Sequence, residues 1–261
     1  MKDKTLFPCP PSVTIFDIPA EQEIVAVLSK QMGRLVLEYG SSWVTKSGNA
    51  VRPAEADAME LVCKHTFVPV PEVLFKRFRP DHGKIQMTLI PGSRLQEKWE
   101  TLDEKTKESV CRQLWGFIAN IRNIPRPTEL KGFFQCAFDG SPTTDPLLAD
   151  LNDPARPLMH DADVRARIYE RYYHFGGRRY EHQLPDMLPR SDRSVFTHAD
   201  IAPRNIMVDE QNNVTGLLDW EFAGWYPDYW EYAQILRPAF WGGLVTMDGA
   251  DGTAEMGYQW D

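Results

Sequence analysis

Four polar residues in the second half of the chain have the types and spacing needed to handle a metal-bound phosphate group. His198, Asp200 and Asn205 lie in the short segment FTHADIAPRN, and Asp219 follows in GLLDWE. Carboxylate and amide oxygens are ligands that suit Mg²⁺, which usually also keeps substrate phosphates as ligands. A carboxylate that is not needed by the metal can accept the proton of an attacking hydroxyl. The set therefore indicates phosphoryl transfer from a nucleotide.

A predicted hairpin brings these residues together in space. Residues 206–208 and 214–218 are short apolar runs that read as strands, and DEQNN between them has the length of a hairpin loop. The second strand of a hairpin returns beside the first. We therefore expect Asp219, at the end of the second strand, to lie close to Asn205, at the start of the first.

The first third of the chain is predicted to be rich in strands. RLVLEY, WVTK, VPVPEVLFKRFR and KIQMTLI have the β-branched, aromatic or alternating apolar residues typical of strands. Pro53 is expected to begin a helix over AEADAMELVCKH, since proline is tolerated at the first helical position. Upstream, the segment 21–31 places Ile24, Val25 and Leu28 on one stripe and predicts another helix.

The remainder is predicted to be mainly helical. Thr101 and Glu104 form a T-x-x-E capping box ahead of one helix. The apolar stripe of that helix consists of Val110, Leu114, Phe117, Ile118 and Ile121. VRARIYERYYHF and DYWEYAQILR predict two more helices, the last of them ended by Pro238.

This order of elements predicts an α+β fold of two lobes. We expect a small strand-rich N-lobe over residues 1–90 and a larger helical C-lobe over residues 91–261, with the seam near residues 88–93. Ligands usually bind in clefts between such lobes.

Composition restricts the partners. The formal charge of −8 argues against nucleic acid and anionic membranes, which both need a basic protein face. No apolar run reaches the ~18 residues of a membrane span, and the start lacks the apolar stretch of a signal peptide. The four cysteines include no CxxC pair and read as free thiols. We therefore expect a cytoplasmic protein with a small-molecule substrate; the oligomeric state is not indicated.

The wording of the motifs resembles a known family. HADIAPRN, then LLDWE, then AGWYPDYWEY closely resemble the aminoglycoside phosphotransferase and choline kinase group, and its fungal members in particular. WVTKSG, the following helix and MTLIPGSRL extend the resemblance over about residues 33–238. The resemblance implies a protein-kinase-like fold and an ATP- and Mg²⁺-dependent kinase that phosphorylates a hydroxyl of a small molecule.

The resemblance also implies a role for each matching residue of the C-lobe. Asp200 would orient or deprotonate the acceptor hydroxyl. His198 would hold the catalytic loop through hydrogen bonds and take no direct part in the chemistry. Asn205 and Asp219 would bind Mg²⁺.

In the N-lobe, the matching residues would bind the nucleotide. Lys46 would contact the α- and β-phosphates of ATP, with Glu55 as its partner. The adenine would meet the backbone of three consecutive residues, Thr88, Leu89 and Ile90. No G-x-G-x-x-G precedes Lys46, so that Gly40 with Ser41 and Ser42 is the only candidate to cover the phosphates.

Several residues have plainer interpretations. Lys46 alone could be a surface lysine, and Glu55 alone could serve the helix dipole. For Arg204, an ion pair with an acidic neighbour is favoured over a phosphate contact. For Glu221, a contact to the metal ligands is favoured over a purely structural role. The aromatic run is favoured as core packing: Trp220, Trp225, Tyr226, Tyr229 and Trp230.

The sequence departs from the family pattern in three places, and two of them, Ala199 and the missing glycine-rich loop, keep a second hypothesis open. Ala199 stands where the family usually has glycine, which would strain the loop if that position needs a positive φ. The glycine-rich loop is missing, and the glycine-rich, acidic segment 242–261 gives no acceptor pocket that can be read. The alternative is a kinase-like fold that has lost phosphoryl transfer and serves as a binding module or as a different catalyst of secondary metabolism.

Overall fold

A five-stranded antiparallel sheet with one helix beside it forms the N-terminal part of the protein. The structure is a computed structural model, and it describes residues 24–40 and 42–236. The strands are β1 (Ile24–Gln31), β2 (Arg34–Tyr39), β3 (Trp43–Gly48), β4 (Val73–Arg79) and β5 (His82–Thr88). Their order in the sheet is β1-β2-β3-β5-β4, with α1 (Pro53–His65) inserted between β3 and β4.

The helix predicted over residues 21–31 is wrong, because Ile24–Gln31 is the edge strand β1. A helix would have buried Ile24 and Val25 on one stripe, but both side chains are about half exposed. The tight turn after Gln31 instead returns the chain along β2, and the two strands pair antiparallel. Strand pairing thus overrides a short apolar spacing that suits either structure.

The helix α1 forms as predicted. Pro53 occupies its first turn, and Ala56, Met59 and Val62 bury one face in the core. Glu55 lies in the first turn of α1 and is also buried. The helix therefore carries a charged side chain into the interior beside the sheet.

The C-terminal part contains helices α2 (Glu104–Ile121), α3 (Asp161–His174), α4 (Leu184–Met187) and α5 (Trp230–Ile235). The predicted stripe of α2 is confirmed at its buried positions, Val110, Leu114, Ile118 and Ile121. The predicted capping box is wrong, because Asp103 is the N-cap and accepts a hydrogen bond from the Thr106 N–H at 2.7 Å. Thr101 ends a short 3₁₀ turn instead. Pro238 lies outside the described residues.

Two small sheets complete the C-terminal part. One has the order β10-β9-β6, with β6 (Ser93–Arg94), β9 (Ile206–Val208) and β10 (Val214–Leu217). The other has the order β7-β11-β8, with β7 (Cys136–Ala137), β8 (Ser194–Thr197) and β11 (Gly224–Pro227). The predicted hairpin is thus confirmed as β9–β10, in which Leu217 pairs with Ile206.

The aromatic run after this hairpin packs in the core, as expected from its composition. Trp220, Trp225, Tyr226 and Trp230 are almost completely buried, and the Tyr226 and Trp230 rings stack. They fix the hairpin and β11 against α5. These rings therefore support the loops around Asp200 and Asp219.

These elements make up an α+β, protein-kinase-like fold with a strand-rich N-terminal sheet. We propose that the lobe boundary lies near residue 90, between β5 and β6. Within the part of the chain that the structure describes, no helix is both long and apolar enough to cross a membrane.

Candidate active site

The segment after β8 is a buried loop tied to the hairpin by His198. The Asp200 backbone N–H donates to His198 Nδ1 at 3.2 Å, so Nδ1 is the unprotonated nitrogen. His198 Nε2 then donates to the Leu218 carbonyl at 3.0 Å. Complete burial lowers the pKa of His198, which keeps the ring neutral and this hydrogen-bond pattern intact. Through these two hydrogen bonds, the His198 ring links the loop to the hairpin, which is the kind of contact that the predicted loop-holding role requires.

Glu231 holds the same loop from the other side, and the sequence analysis missed it. Its carboxyl group, on α5, accepts hydrogen bonds from the backbone N–H groups of His198 at 2.8 Å and of Ala199 at 3.1 Å. Burial raises the pKa of Glu231 to about 7, although these hydrogen bonds act in the opposite direction. No local pattern links a glutamate of α5 to a loop more than thirty residues earlier.

Ala199 has the positive φ under which alanine is expected to be strained at this position. Its φ is +66°, in the left-handed region that favours glycine. Asp219 has the same φ of +66° at the end of the hairpin. Alanine therefore preserves the loop shape at position 199 while carrying a backbone strain that glycine would not.

The carboxylate of Asp200 is fixed by two neighbours. Arg204 Nη2 donates to Oδ1 at 2.5 Å, in the structural pairing expected for this arginine. Asn205 Nδ2 donates to Oδ2 at 2.8 Å and to the Asp200 carbonyl at 2.9 Å. Asp200 is nevertheless not sealed off, with 7 % of its surface exposed.

The hairpin brings the region of Asp219 next to Asn205. The Leu218 N–H donates to the Asn205 carbonyl at 2.8 Å, one residue before Asp219. Asp219 then reaches the N-terminal sheet, where its Oδ1 accepts from Lys46 Nζ at 2.7 Å. Lys46 also donates to Glu55 Oε1 at 2.7 Å. One ammonium group thus connects the sheet, α1 and the hairpin.

Charges in this triad support one another. Burial favours neutral Lys46, but the Glu55 and Asp219 carboxylates more than offset this and raise the pKa of Lys46. Burial also works to raise the pKa of Asp219, but the charge and hydrogen bond of Lys46 prevail and lower it. Lys46 is therefore a cation and Asp219 an anion at neutral pH.

The donor set fits Mg²⁺ bound together with a nucleotide. Asp219 uses only Oδ1 for Lys46, and Asn205 uses Nδ2 for Asp200, so Asp219 Oδ2 and Asn205 Oδ1 have no hydrogen-bond partner within residues 24–40 and 42–236. In the same residues no cluster of three His, Cys, Asp or Glu side chains could hold a metal. One or two protein ligands plus phosphates is the usual pattern for Mg²⁺.

The three predicted adenine-binding residues follow β5. The Leu89 N–H donates to the Ser42 carbonyl at 3.1 Å and is therefore not available to a base. The Thr88 hydroxyl accepts from the Glu72 N–H at 2.9 Å. The Ile90 side chain packs over Gly216, where an added Cβ would lie 2.7 Å from Ile90 Cγ2. Ile90 N–H is the remaining candidate donor.

Gly40 and Ser42, which were predicted to help cover the phosphates, lie before β3 and away from Lys46. Ser42 is next to Leu89, a predicted adenine-binding residue, and is four residues along the chain from Lys46. Four strand residues span roughly 13 Å. Ser41 lies outside the described residues. The turn at the Lys46 end is that between β1 and β2, because Val36 pairs with Lys46 and Leu35 with Ser47.

A second ion pair joins the two lobes beside the first, and no sequence motif points to it. Arg34, at the start of β2, donates from Nη1 to Glu221 Oε1 at 2.7 Å, and Nη2 contacts the other carboxylate oxygen. Burial, followed by the nearby Asp219 charge, raises the pKa of Glu221 to about 7. Glu221 was predicted to contact the metal ligands without binding the metal itself. It lies two residues after Asp219, and its carboxylate contacts Arg34.

Comparisons with solved structures find a similar fold in proteins that are named as phosphotransferases or kinases. An aminoglycoside phosphotransferase, APH(2'')-IIIa, solved with GDP and kanamycin, is 16% identical, with a TM-score of 0.55 over 82% of this chain and 73% of that one. A fructosamine-3-kinase of Haemophilus somnus is 14% identical, with a TM-score of 0.52 over 82% of this chain and 69% of that one. At these identities the likeness concerns the fold alone.

A family-level comparison covers most of the chain. A search of curated protein sequences finds no match. Residues 35–256 match the phosphotransferase enzyme family known as APH, a range that contains Lys46, Glu55, the loop around Asp200 and the hairpin. The chain therefore belongs to the APH phosphotransferase enzyme family.

Proposed function

We propose that the protein is an ATP- and Mg²⁺-dependent phosphotransferase that acts on a hydroxyl of a small-molecule metabolite. The observation that carries the proposal is the position of Lys46 Nζ, 2.7 Å from both Glu55 and Asp219. A lysine fixed in this way can hold nucleotide phosphates next to the metal-binding hairpin. Membership of the phosphotransferase family supports the same reaction.

Asp200 is the proposed base. Its carboxylate, oriented by Arg204 and Asn205, accepts the proton of the acceptor hydroxyl as the hydroxyl oxygen bonds to the terminal phosphorus and the bond from this phosphorus to the leaving ADP breaks. His198 and Glu231 act on the loop backbone and keep Asp200 in place. The chemistry is mainly positioning, because the transferred group needs little covalent help from the protein.

Mg²⁺, when bound, would neutralise charge on the phosphates as transfer proceeds. Asn205 Oδ1 and Asp219 Oδ2 are the proposed protein ligands. Lys46 offsets the charge of the α- and β-phosphates, and Glu55 keeps its ammonium group directed at them. The backbone of Thr88, Leu89 and Ile90 is proposed to line the adenine site, with the Ile90 N–H as donor.

The surroundings agree with a small-molecule acceptor. A net charge of −8 disfavours nucleic acid as a partner. The three cysteines of the described residues are free thiols, as is usual in a reducing compartment, and we propose a cytoplasmic location. APH(2'')-IIIa was solved with kanamycin, so aminoglycosides belong in a substrate panel together with other amino sugars and polyols.

Nucleotide binding and turnover test the proposal separately. Mg·ATP or Mg·GTP at about 100 times its dissociation constant should stabilise the fold by ~2.7 kcal/mol in thermal or urea unfolding. With a suitable acceptor, ADP or GDP release should become acceptor-dependent. The absence of any stabilisation at millimolar nucleotide would contradict the proposal and favour a kinase-like fold without phosphoryl transfer.

A further inference from the structure

The turn at the phosphate end of the sheet is too short to wrap a nucleotide. Only Met32 and Gly33 separate β1 from β2. The Gly33 carbonyl accepts from the Ala50 N–H at 3.1 Å, and Gly48 packs so closely that a Cβ there would lie 2.0 Å from this carbonyl oxygen. Glycine-rich loops bind phosphates through several successive backbone N–H groups. Another donor must therefore serve this end of the cleft.

Arg34 stands directly after this turn and on the same face of the sheet as Lys46. Val36 pairs with Lys46 across β2 and β3, so their side chains share a face. Side chains two apart on a strand also share a face, which places Arg34 with them. The offset of two residues corresponds to about 7 Å along the strand. Lys46 and Arg34 thus present two cations in line toward the C-lobe.

Each of these cations contacts one acid of the segment that follows the hairpin. Lys46 contacts Asp219, and Arg34 contacts Glu221, two residues further on. The two acids are thus held from neighbouring strands, β3 and β2, on one face of the sheet. Glu221 follows Asp219, a proposed metal ligand, by two residues, so the Arg34 guanidinium lies near the proposed metal and phosphate site, and its charge contributes to lowering the pKa of Asp219.

The guanidinium of Arg34 still has a donor to offer. Its Nη1 and Nη2 are engaged with Glu221, but Nε is buried and has no hydrogen-bond partner within the described part of the chain. Arginine has five N–H donors in a rigid fork that matches phosphate oxygens. A buried donor without a partner costs free energy, which a ligand oxygen would recover.

A cavity lies at this point between the lobes. Its volume is about 170 Å³. It is lined by Arg34, Ala50, Arg52, Thr144, Glu221 and Phe222. Two arginines with one glutamate give the lining a net positive charge, which suits an anionic group.

We propose that Arg34 binds the terminal phosphates of the nucleotide and replaces the missing glycine-rich loop, with Glu221 orienting its guanidinium. The inference rests on the proposed function, since it assumes that a nucleotide occupies the cleft. It adds a phosphate-binding residue that neither the motifs nor the spacing of the sequence indicates.

Nucleotide affinity measured by calorimetry tests Arg34 directly. Arg34→Ala should weaken ATP and ADP binding by about 10- to 100-fold, as expected for the loss of a charge-assisted hydrogen bond. AMP binding should stay unchanged, because AMP lacks the terminal phosphates. The weakening should persist in EDTA, since Arg34 contacts the phosphates and not the metal. Arg34→Lys should recover only part of the affinity, because it lacks the fork.

Arg79→Ala is the matched control, an exposed arginine on the opposite edge strand of the same sheet. It should leave all three affinities unchanged. If Arg34→Ala lowers the unfolding midpoint but leaves ATP and ADP affinity intact, Arg34 is only a link between the lobes and the inference is wrong. If the wild-type chain binds none of the nucleotides, the proposed function itself fails. Equal binding by the wild type and Arg34→Ala contradicts only the role of Arg34.

Discussion

The loop around Asp200 and the β1–β2 turn are built in opposite ways. The loop is buried, and it is held by Glu231 through two backbone N–H groups and by His198 through its ring. The β1–β2 turn lies at the edge of the sheet, with Met32 almost fully exposed. The side chain of Arg34, directly after the turn, has Glu221 as its one hydrogen-bond partner within residues 24–40 and 42–236. The chain thus holds the Asp200 carboxylate in a buried loop, whereas Arg34, the proposed phosphate-binding residue, directly follows an exposed turn.

Removing the proposed base, Asp200, should have the largest effect on kcat. A small effect would contradict the contrast drawn between the loop and the β1–β2 turn. Asp200→Asn keeps an oxygen for Arg204 but cannot accept a proton, so kcat should fall by ~10²- to 10⁴-fold. Nucleotide affinity should stay near the wild-type value, because no nucleotide contact is assigned to Asp200. Steady-state kinetics and calorimetry measure the two effects.

Asp81→Asn is the control for this change, since Asp81 is exposed in the β4–β5 turn. It should leave kcat unchanged. Full activity of Asp200→Asn would remove the assignment of the base.

The triad of Lys46, Glu55 and Asp219, in which Lys46 and Glu55 are buried, should dominate stability in the cleft. Lys46→Met leaves Glu55 buried without its cation, and breaking a buried pair on one side costs about 3–5 kcal/mol. The free energy of unfolding in urea should fall by that order. A double variant Lys46→Met with Glu55→Gln should recover part of the loss, because the uncompensated charge is removed as well.

Lys76→Met provides a matched comparison on the same sheet. Lys76 also contacts two acids, Asp57 at 2.7 Å and Glu60 at 2.8 Å, but the pairs are exposed to solvent. Such surface pairs contribute ~0–1 kcal/mol. Equal losses of unfolding free energy for Lys46→Met and Lys76→Met would mean that burial does not determine how much the triad contributes to stability.

Local contacts could be predicted from the sequence, whereas long-range contacts could not. The hairpin around Asp219 depends on two short apolar runs and a polar loop, all within about a dozen residues. Arg34 and Glu221 are 187 residues apart, and no local pattern joins them. The spacing of Ile24, Val25 and Leu28 suits a helix and a strand equally, and only the pairing with β2 decides. Gly40, Ser41 and Ser42 were assigned to the phosphates because the register of the sheet was not known.

Glu231 should make the loop sensitive to pH. The pKa of Glu231 is about 7 in the folded chain, above the ordinary value of 4.5. The folded state therefore binds this proton more tightly, and the stabilisation is complete below pH 4.5 and lost as the pH rises through about 7. Glu231→Gln cannot titrate, so the wild-type unfolding midpoint should fall relative to that of the variant between pH 5 and 8.

Other titrating groups occur in both proteins and cancel in this difference. Glu231→Gln should be the less stable protein overall, because an amide replaces one accepting oxygen by a donor facing the loop N–H groups. Parallel pH curves for the two proteins would show that Glu231 has an ordinary pKa.

The smallest effect is expected at Ala199. Ala199→Gly relieves a φ of +66°, a conformation that costs an L-residue about 1–2 kcal/mol. The change also removes a buried methyl group, worth roughly 0.8 kcal/mol, and frees the unfolded chain by about 0.4–1 kcal/mol. These contributions oppose each other, so the free energy of unfolding should change by less than about 1 kcal/mol. Ala119→Gly, on the exposed face of α2 where no strain is relieved, should cost ~1 kcal/mol. If Ala199→Gly is as destabilising as Ala119→Gly or more, the positive φ stores no strain, and the loop tolerates alanine for another reason.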